Sequence, residues 1–158
     1  MGPLFEFFKL IEKELIVFSA AVLPVVELKG AIPIGLGMGL STTGSFIAAY
    51  LGSLLPAPLL LFFLKPVMSF LRGTKLFAPF ANWIEKRTHK KGVRIRKYSL
   101  LGLFIFVALP LPTTGVWTGS AIATFLDLRI KHALLVIALG NLVAGAIIMF
   151  LSYGILGS

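Results

Sequence analysis

The sequence predicts an all-α integral membrane protein, and three observations carry that reading. Hydrophobic residues make up 58% of the 158 residues and charged ones only 13%, where soluble domains run near half apolar and about a quarter charged. Four long apolar stretches, at 15–40, 45–64, 100–126 and 133–156, account for most of the chain. The charge is also gathered rather than spread: ten Lys or Arg residues fall within 65–97, against the single acid Glu85.

The first 14 residues carry net charge −1, with Glu6, Glu12 and Glu14 set among Lys9 and Lys13. A signal peptide would open with a basic segment, so this region is expected to be a short interfacial helix with Phe5, Phe8 and Ile11 toward lipid. The second and fourth stretches hold no charge and match the ~20 residues that cross a bilayer as a helix.

The first and third stretches are interrupted at their middles. The first contains Pro24-Val25-Val26-Glu27-Leu28-Lys29-Gly30-Ala31-Ile32-Pro33. Its prolines each remove a backbone donor and Gly30 loosens the chain between them. Glu27 and Lys29 would each cost about 2.5–3.5 kcal/mol at the centre of a spanning helix. The third contains Pro110-Leu111-Pro112-Thr113-Thr114-Gly115. Some ten apolar residues precede each break, a reach of ~15 Å, or half a ~30 Å hydrocarbon core. Both stretches are therefore expected to be re-entrant hairpins.

Charge placement agrees. With re-entrant hairpins, the short segment 127–132 with Arg129 and Lys131 joins the basic run on the cytoplasmic side, as the positive-inside tendency asks. Both termini then lie outside. Four plain spans would put Arg129 and Lys131 outside. A weak repeat adds to this: Leu51-Gly52-Ser53-Leu54-Leu55 aligns with Leu139-Gly140-Asn141-Leu142-Val143, and Phe18 with Leu23-Pro24 aligns with Phe104 and Leu109-Pro110. The predicted architecture is thus two inverted repeats in one membrane domain, each a re-entrant helical hairpin plus one transmembrane helix. The first half is 1–64, the second 99–158, and a basic cytoplasmic segment at 65–98 joins them. Inverted repeats with broken helices meeting near the midplane are a recurrent transporter design.

The segments Glu27-Leu28-Lys29-Gly30-Ala31-Ile32-Pro33-Ile34-Gly35 and Ala108-Leu109-Pro110-Leu111-Pro112-Thr113-Thr114-Gly115-Val116-Trp117-Thr118-Gly119 resemble the putative small multidrug export protein family. That family is similar to a compact relative of the DedA superfamily, with its paired re-entrant hairpins. The resemblance implies a transporter-like fold and export of a small molecule. The DedA likeness implies proton-coupled movement of polyprenyl phosphate or phospholipid, with Glu27 answering to an acid at the hairpins.

The candidate pathway residues are those of the two tips. Glu27 and Lys29, two positions apart, face nearly opposite sides of a helix and are not expected to pair simply. Each then needs another partner, a water-filled cavity or a proton change. A structural reading has Lys29 on carbonyls freed by Pro33 and Glu27 on amides; a functional reading makes them a substrate or proton site, the default for ionisable groups at membrane depth. Burial and Lys29 pull the ionisation of Glu27 in opposite directions. Thr113, Thr114 and Thr118 can satisfy backbone groups orphaned by Pro110 and Pro112. Trp117 lies too near the tip for an interface anchor and is expected to pack or line the pathway. Asn141, matched by Ser53, is expected to make an interhelical hydrogen bond. Gly30 and Pro33 complete the pathway set.

Between the halves, Val67, Phe70, Leu71, Phe77, Phe80, Ala81 and Ile84 recur at helical spacing, an amphipathic interfacial segment broken near Gly73 or Pro79. The seven basic residues of 86–97 suit anionic lipid head groups. Apolar flanks argue against nucleic acid as a partner. No cysteine exists and the two histidines lie in basic positions, so neither a cofactor, a metal nor an enzyme is expected. A homo-oligomer is expected, with Gly52, Gly140 or Gly145 near its contacts, because two spans leave little protein to cover the tips. The functional readings are ion-coupled export of a small amphipathic molecule, a DedA-like lipid-phosphate flippase, and a non-transporting membrane assembly module.

Overall fold

The computed structural model describes residues 2–79, 82–83 and 98–156. Among them every regular element is a helix: α1 (Pro3–Val22), α2 (Glu27–Gly37), α3 (Thr42–Leu54), α4 (Pro56–Arg72), α5 (Tyr98–Ala108), α6 (Val116–Phe125) and α7 (Ile130–Leu156). Phe80, Ala81, Ile84 and the basic run 86–97 lie outside the described residues.

Among the described residues, two helical units are long and apolar enough to cross a membrane. One is α3 with α4, a run of 31 residues over Thr42–Arg72; the other is Ile130–Gly154 within α7. The first is divided at Leu55, where Pro56 follows without an N–H to donate back into α3. Both apolar stretches expected to span are thus helices of sufficient length. The α4 helix runs on to Arg72 and stops at Gly73, so Val67, Phe70 and Leu71 belong to its last turns.

The other two stretches are broken, the first at Pro24 and the second across Pro110 and Pro112. Leu23, Pro24, Val25 and Val26 separate α1 from α2, and residues 109–115 separate α5 from α6. The α2 and α6 helices have only 11 and 10 residues, about 15–16 Å each. Val17 of α1 packs by Gly35 of α2, while Lys13, earlier in α1, approaches Gly39 beyond the end of α2. Position falls along one helix as it rises along the other, so α1 and α2 form an antiparallel hairpin.

Two expectations need correction. The N-terminal residues do not form a separate interfacial helix; they continue without a break into α1, leaving Phe5 and Phe8 exposed. The first break also ends earlier than Gly30 and Pro33 suggested. Pro33 sits inside α2, where its missing donor falls on the Lys29 carbonyl. A half-helix packed on neighbours tolerates that loss because one bond, not the whole turn, is forfeited.

The two halves share detailed geometry. At the end of α2, Gly39 takes φ +77 while the Gly39 and Leu40 amides donate to Leu36 and Gly35 carbonyls. At the end of α6, Asp127 takes φ +51 while the Asp127 and Leu128 amides donate to Thr124 and Ala123 carbonyls. Both are Schellman endings, and every residue of one lies 88 positions before its counterpart. Leu40 and Leu128, which follow the left-handed residue, are both buried. Gly52 packs on the Phe18 carbonyl beside Ala21, and Gly140 on the Phe104 carbonyl beside Val107. Each glycine lets two helices cross at backbone distance.

The core divides accordingly. Val17, Ala21, Leu28, Ala31, Ile32, Leu40, Ala48 and Ala49 pack in one cluster. Ala57, Leu61, Leu103, Val107, Val116, Ala123, Leu128, Ala133 and Ile137 form the other. Between them Asn141 Nδ2 donates to Ser53 Oγ at 2.8 Å and Tyr50 Oη to the Ala138 carbonyl at 3.1 Å. The interhelical bond expected of Asn141 is present.

Candidate functional site

The two breaks meet, and three hydrogen bonds join them. Lys29 Nζ donates to the Leu111 carbonyl at 2.5 Å. The Trp117 backbone N–H donates to Glu27 Oε1 at 3.3 Å. The Trp117 indole Nε1 donates to the Val22 carbonyl at 3.0 Å. Val22 is the last residue of α1, whose terminal carbonyls have no partner in their own helix. The indole therefore closes one helix end with a side chain from the other half.

Glu27 begins α2 with φ +47, a left-handed conformation uncommon outside glycine. That turn carries its carboxylate out of α2 and onto the start of α6, where Gly115 and Val116 precede Trp117. The first amides of a helix lack internal acceptors and present the positive end of its dipole. Glu27 thus caps α6 from a position 90 residues away. Gly115 makes this possible, because any Cβ there would overlap the carboxylate.

The same backbone twist corrects the expectation that Glu27 and Lys29 do not pair. Lys29 Nζ lies 3.5 Å from Glu27 Oε2. Helical spacing would separate them, but Glu27 departs from helical φ. The side chain of Glu27 is buried and that of Lys29 nearly so. Lys29 touches both an anion and the opposite tip, so it ties the ion pair to the hairpin contact. The Lys29 ammonium goes to Leu111 rather than to a carbonyl freed by Pro33.

The second tip is shaped by Thr114. Its buried hydroxyl donates to the Leu109 carbonyl and accepts from the Leu111 amide at 3.2 Å. Thr118 Oγ1 reaches the Gly115 carbonyl at 3.4 Å. Thr114 thus serves the broken backbone, whereas the Gly115 carbonyl that Thr118 reaches already accepts the Gly119 amide. Thr113 is exposed, with no hydrogen bond of its own among the described residues, and Pro112 is exposed beside it. Pro110 is half-buried, as are Gly30 and Pro33.

Of the residues singled out in the sequence, Glu27 touches both Lys29 and Trp117, while Thr114 holds the Leu111 turn that Lys29 reaches. Asn141 stands apart, on the helix-to-helix contact with Ser53. Sequence reasoning missed Gly115 as the residue that admits the carboxylate, and Val22 and Leu111 as backbone acceptors. Only the glycine left a signal, its place between the threonine pair and Val116. Among the described residues no cluster of three His, Asp or Glu side chains is placed to hold a metal ion.

A family model described as "Putative small multi-drug export protein" matches residues 27–147. The chain belongs to that family. The match opens at Glu27 and takes in both tips, the two long helices and the segment between them. Comparison with curated proteins gave no match, and comparison with solved structures gave none. Membership, together with two apolar helices long enough to cross a bilayer, supports a membrane transporter for this export-family protein.

Proposed function

We propose that this export-family protein is an ion-coupled exporter of a small amphipathic molecule, built from two inverted halves, each a re-entrant hairpin and a span. The matched helix endings and glycine crossings support the repeat. Asn141 meets Ser53 while Gly145 meets Phe46; position rises along α7 as it falls along α3, which supports opposite directions for the two spans. Short α2 and α6 helices of half-bilayer length support re-entry.

The single observation that carries the mechanism is the dual engagement of Glu27. One carboxylate holds Lys29 and caps α6. Taking up one proton removes the charge that favours both contacts at once. Charge-assisted hydrogen bonds are roughly twice as strong as neutral ones, and an anion at a helix N-terminus contributes about 0.3–2 kcal/mol. Protonation therefore loosens the joint between the tips and frees Lys29, while a bound substrate replaces the lost partners. Proton release restores the closed joint.

The test is transport in proteoliposomes with and without an imposed pH gradient. Glu27→Gln keeps size and polarity and removes the titration, so uptake is expected to lose its pH dependence while folding is retained. Unchanged pH dependence would show Glu27 to be structural. Lys29→Met separates substrate classes: it weakens transport of an anionic substrate and spares a cationic one. A lipid phosphate flipped in the DedA manner would respond to Lys29→Met and to charge removal in 86–97. Full tolerance of both tip variants would point to a non-transporting assembly module.

A further inference from the structure

Resting on the membrane placement above but not on transport itself, we infer that a second copy of this chain docks on the paired tips and completes them. The two breaks form one continuous patch, because Lys29 and Trp117 tie Leu111 to Glu27 and α6 to Val22. Its surface is apolar: Val25 is 93% exposed, and Leu23, Leu109 and Leu111 are each about half exposed. The same segments carry backbone groups without partners. Among the described residues the amides of Val25 and Thr113 make no hydrogen bond, and the Thr113 hydroxyl makes none either.

In water such a patch would be ordinary. Half-helices of about 15 Å put it near the bilayer midplane instead. Lipid cannot hydrogen-bond an open amide there, and each unsatisfied group costs several kcal/mol. Something polar must cover these groups, and only protein or water is available.

The patch carries its own complement. Thr113 presents a hydroxyl that accepts, and Val25 presents an amide that donates. A two-fold copy brings Thr113 of each protomer to Val25 of the other and buries Leu23 and Leu111 between them. Such an isologous contact satisfies the open Val25 amide of each protomer with one operation. The small residues expected at the oligomer contact are already engaged within the chain. Gly52 sits on Phe18, Gly140 on Phe104, and Gly145 on Phe46 and Leu28. That leaves the tips as the surface in need of a partner.

The absence of native cysteine makes the test direct. Val25→Cys, Thr113→Cys and a lipid-facing control, Leu59→Cys, are reconstituted in liposomes at low protein density and oxidised. The expected result is a mixed cross-link between Val25→Cys and Thr113→Cys when the two single variants are combined, with the control remaining monomeric. The unmodified protein in nanodiscs is expected to show the mass of two chains. Failure of the mixed cross-link between Val25→Cys and Thr113→Cys overturns the inference, whatever the mass. Labelling of Val25→Cys by a membrane-impermeant maleimide, with no cross-link, would assign the patch to a water-filled vestibule. Transport assays on the same liposomes report separately on the exporter reading.

Discussion

The Glu27 carboxylate lies against Gly115, a residue 88 positions later in the chain, so closely that no side chain could stand there. This contact lets Glu27 reach the Trp117 amide and hold Lys29 at the same time. It also yields a sharp variant. Gly115→Ala should displace the carboxylate from α6, reduce transport as strongly as loss of Glu27 itself, and leave the spans assembled. Gly102→Ala is the control, since a Cβ there meets open space. Transport rates of the two variants at equal expression decide the matter; equal rates would remove Gly115 from the mechanism.

Topology follows from the hairpins. Single cysteines at Gly2 and Ser41 should label from outside, and those at Leu76 and Arg129 from the cytoplasm. Leu76, Ser41 and Arg129 are exposed, so each is open to a membrane-impermeant reagent. Labelling of Gly2 and Leu76 from one face would instead require four plain spans.

The glycine crossings predict graded damage. Gly52→Ala and Gly140→Ala both force a Cβ against a carbonyl oxygen, and the approach is tighter at Gly52. Overpacking of this kind costs about 1–3 kcal/mol. Thermal unfolding in detergent should therefore rank wild type above Gly140→Ala, and Gly140→Ala above Gly52→Ala. The reverse order would mean the helices slide apart more readily at Gly52.

The Asn141–Ser53 bond predicts an asymmetry. Ser53→Ala leaves the buried Asn141 amide without its acceptor, whereas Ser53→Ala with Asn141→Leu removes both polar groups. The single variant should lose stability by about 0.5–2 kcal/mol, the range for hydrogen bonds between membrane helices. The double variant should recover part of that loss, because paired apolar replacement is close to neutral. A double-mutant cycle on thermal unfolding measures the difference. Simple additivity would show that the bond carries no coupling.

By itself the amino-acid sequence determined the membrane class, the helices of spanning length and the places where two apolar stretches break. These follow from sums over neighbouring residues: transfer of apolar side chains, missing proline donors, and the cost of Glu27 and Lys29 at a helix centre. Asn141 was also legible, since a buried amide in a span must find a partner on another helix. What only the tertiary structure decided is where the tip groups go. Local spacing kept Glu27 and Lys29 apart, yet the left-handed turn at Glu27 joined them. Pro33 read as part of the break, yet packing kept it inside α2. The acceptors of Lys29 and of the Trp117 indole are backbone carbonyls at Leu111 and Val22, 82 and 95 residues away. Every residue has such a carbonyl, so no side-chain pattern marks these two; only the packing of one hairpin tip on the other selects them.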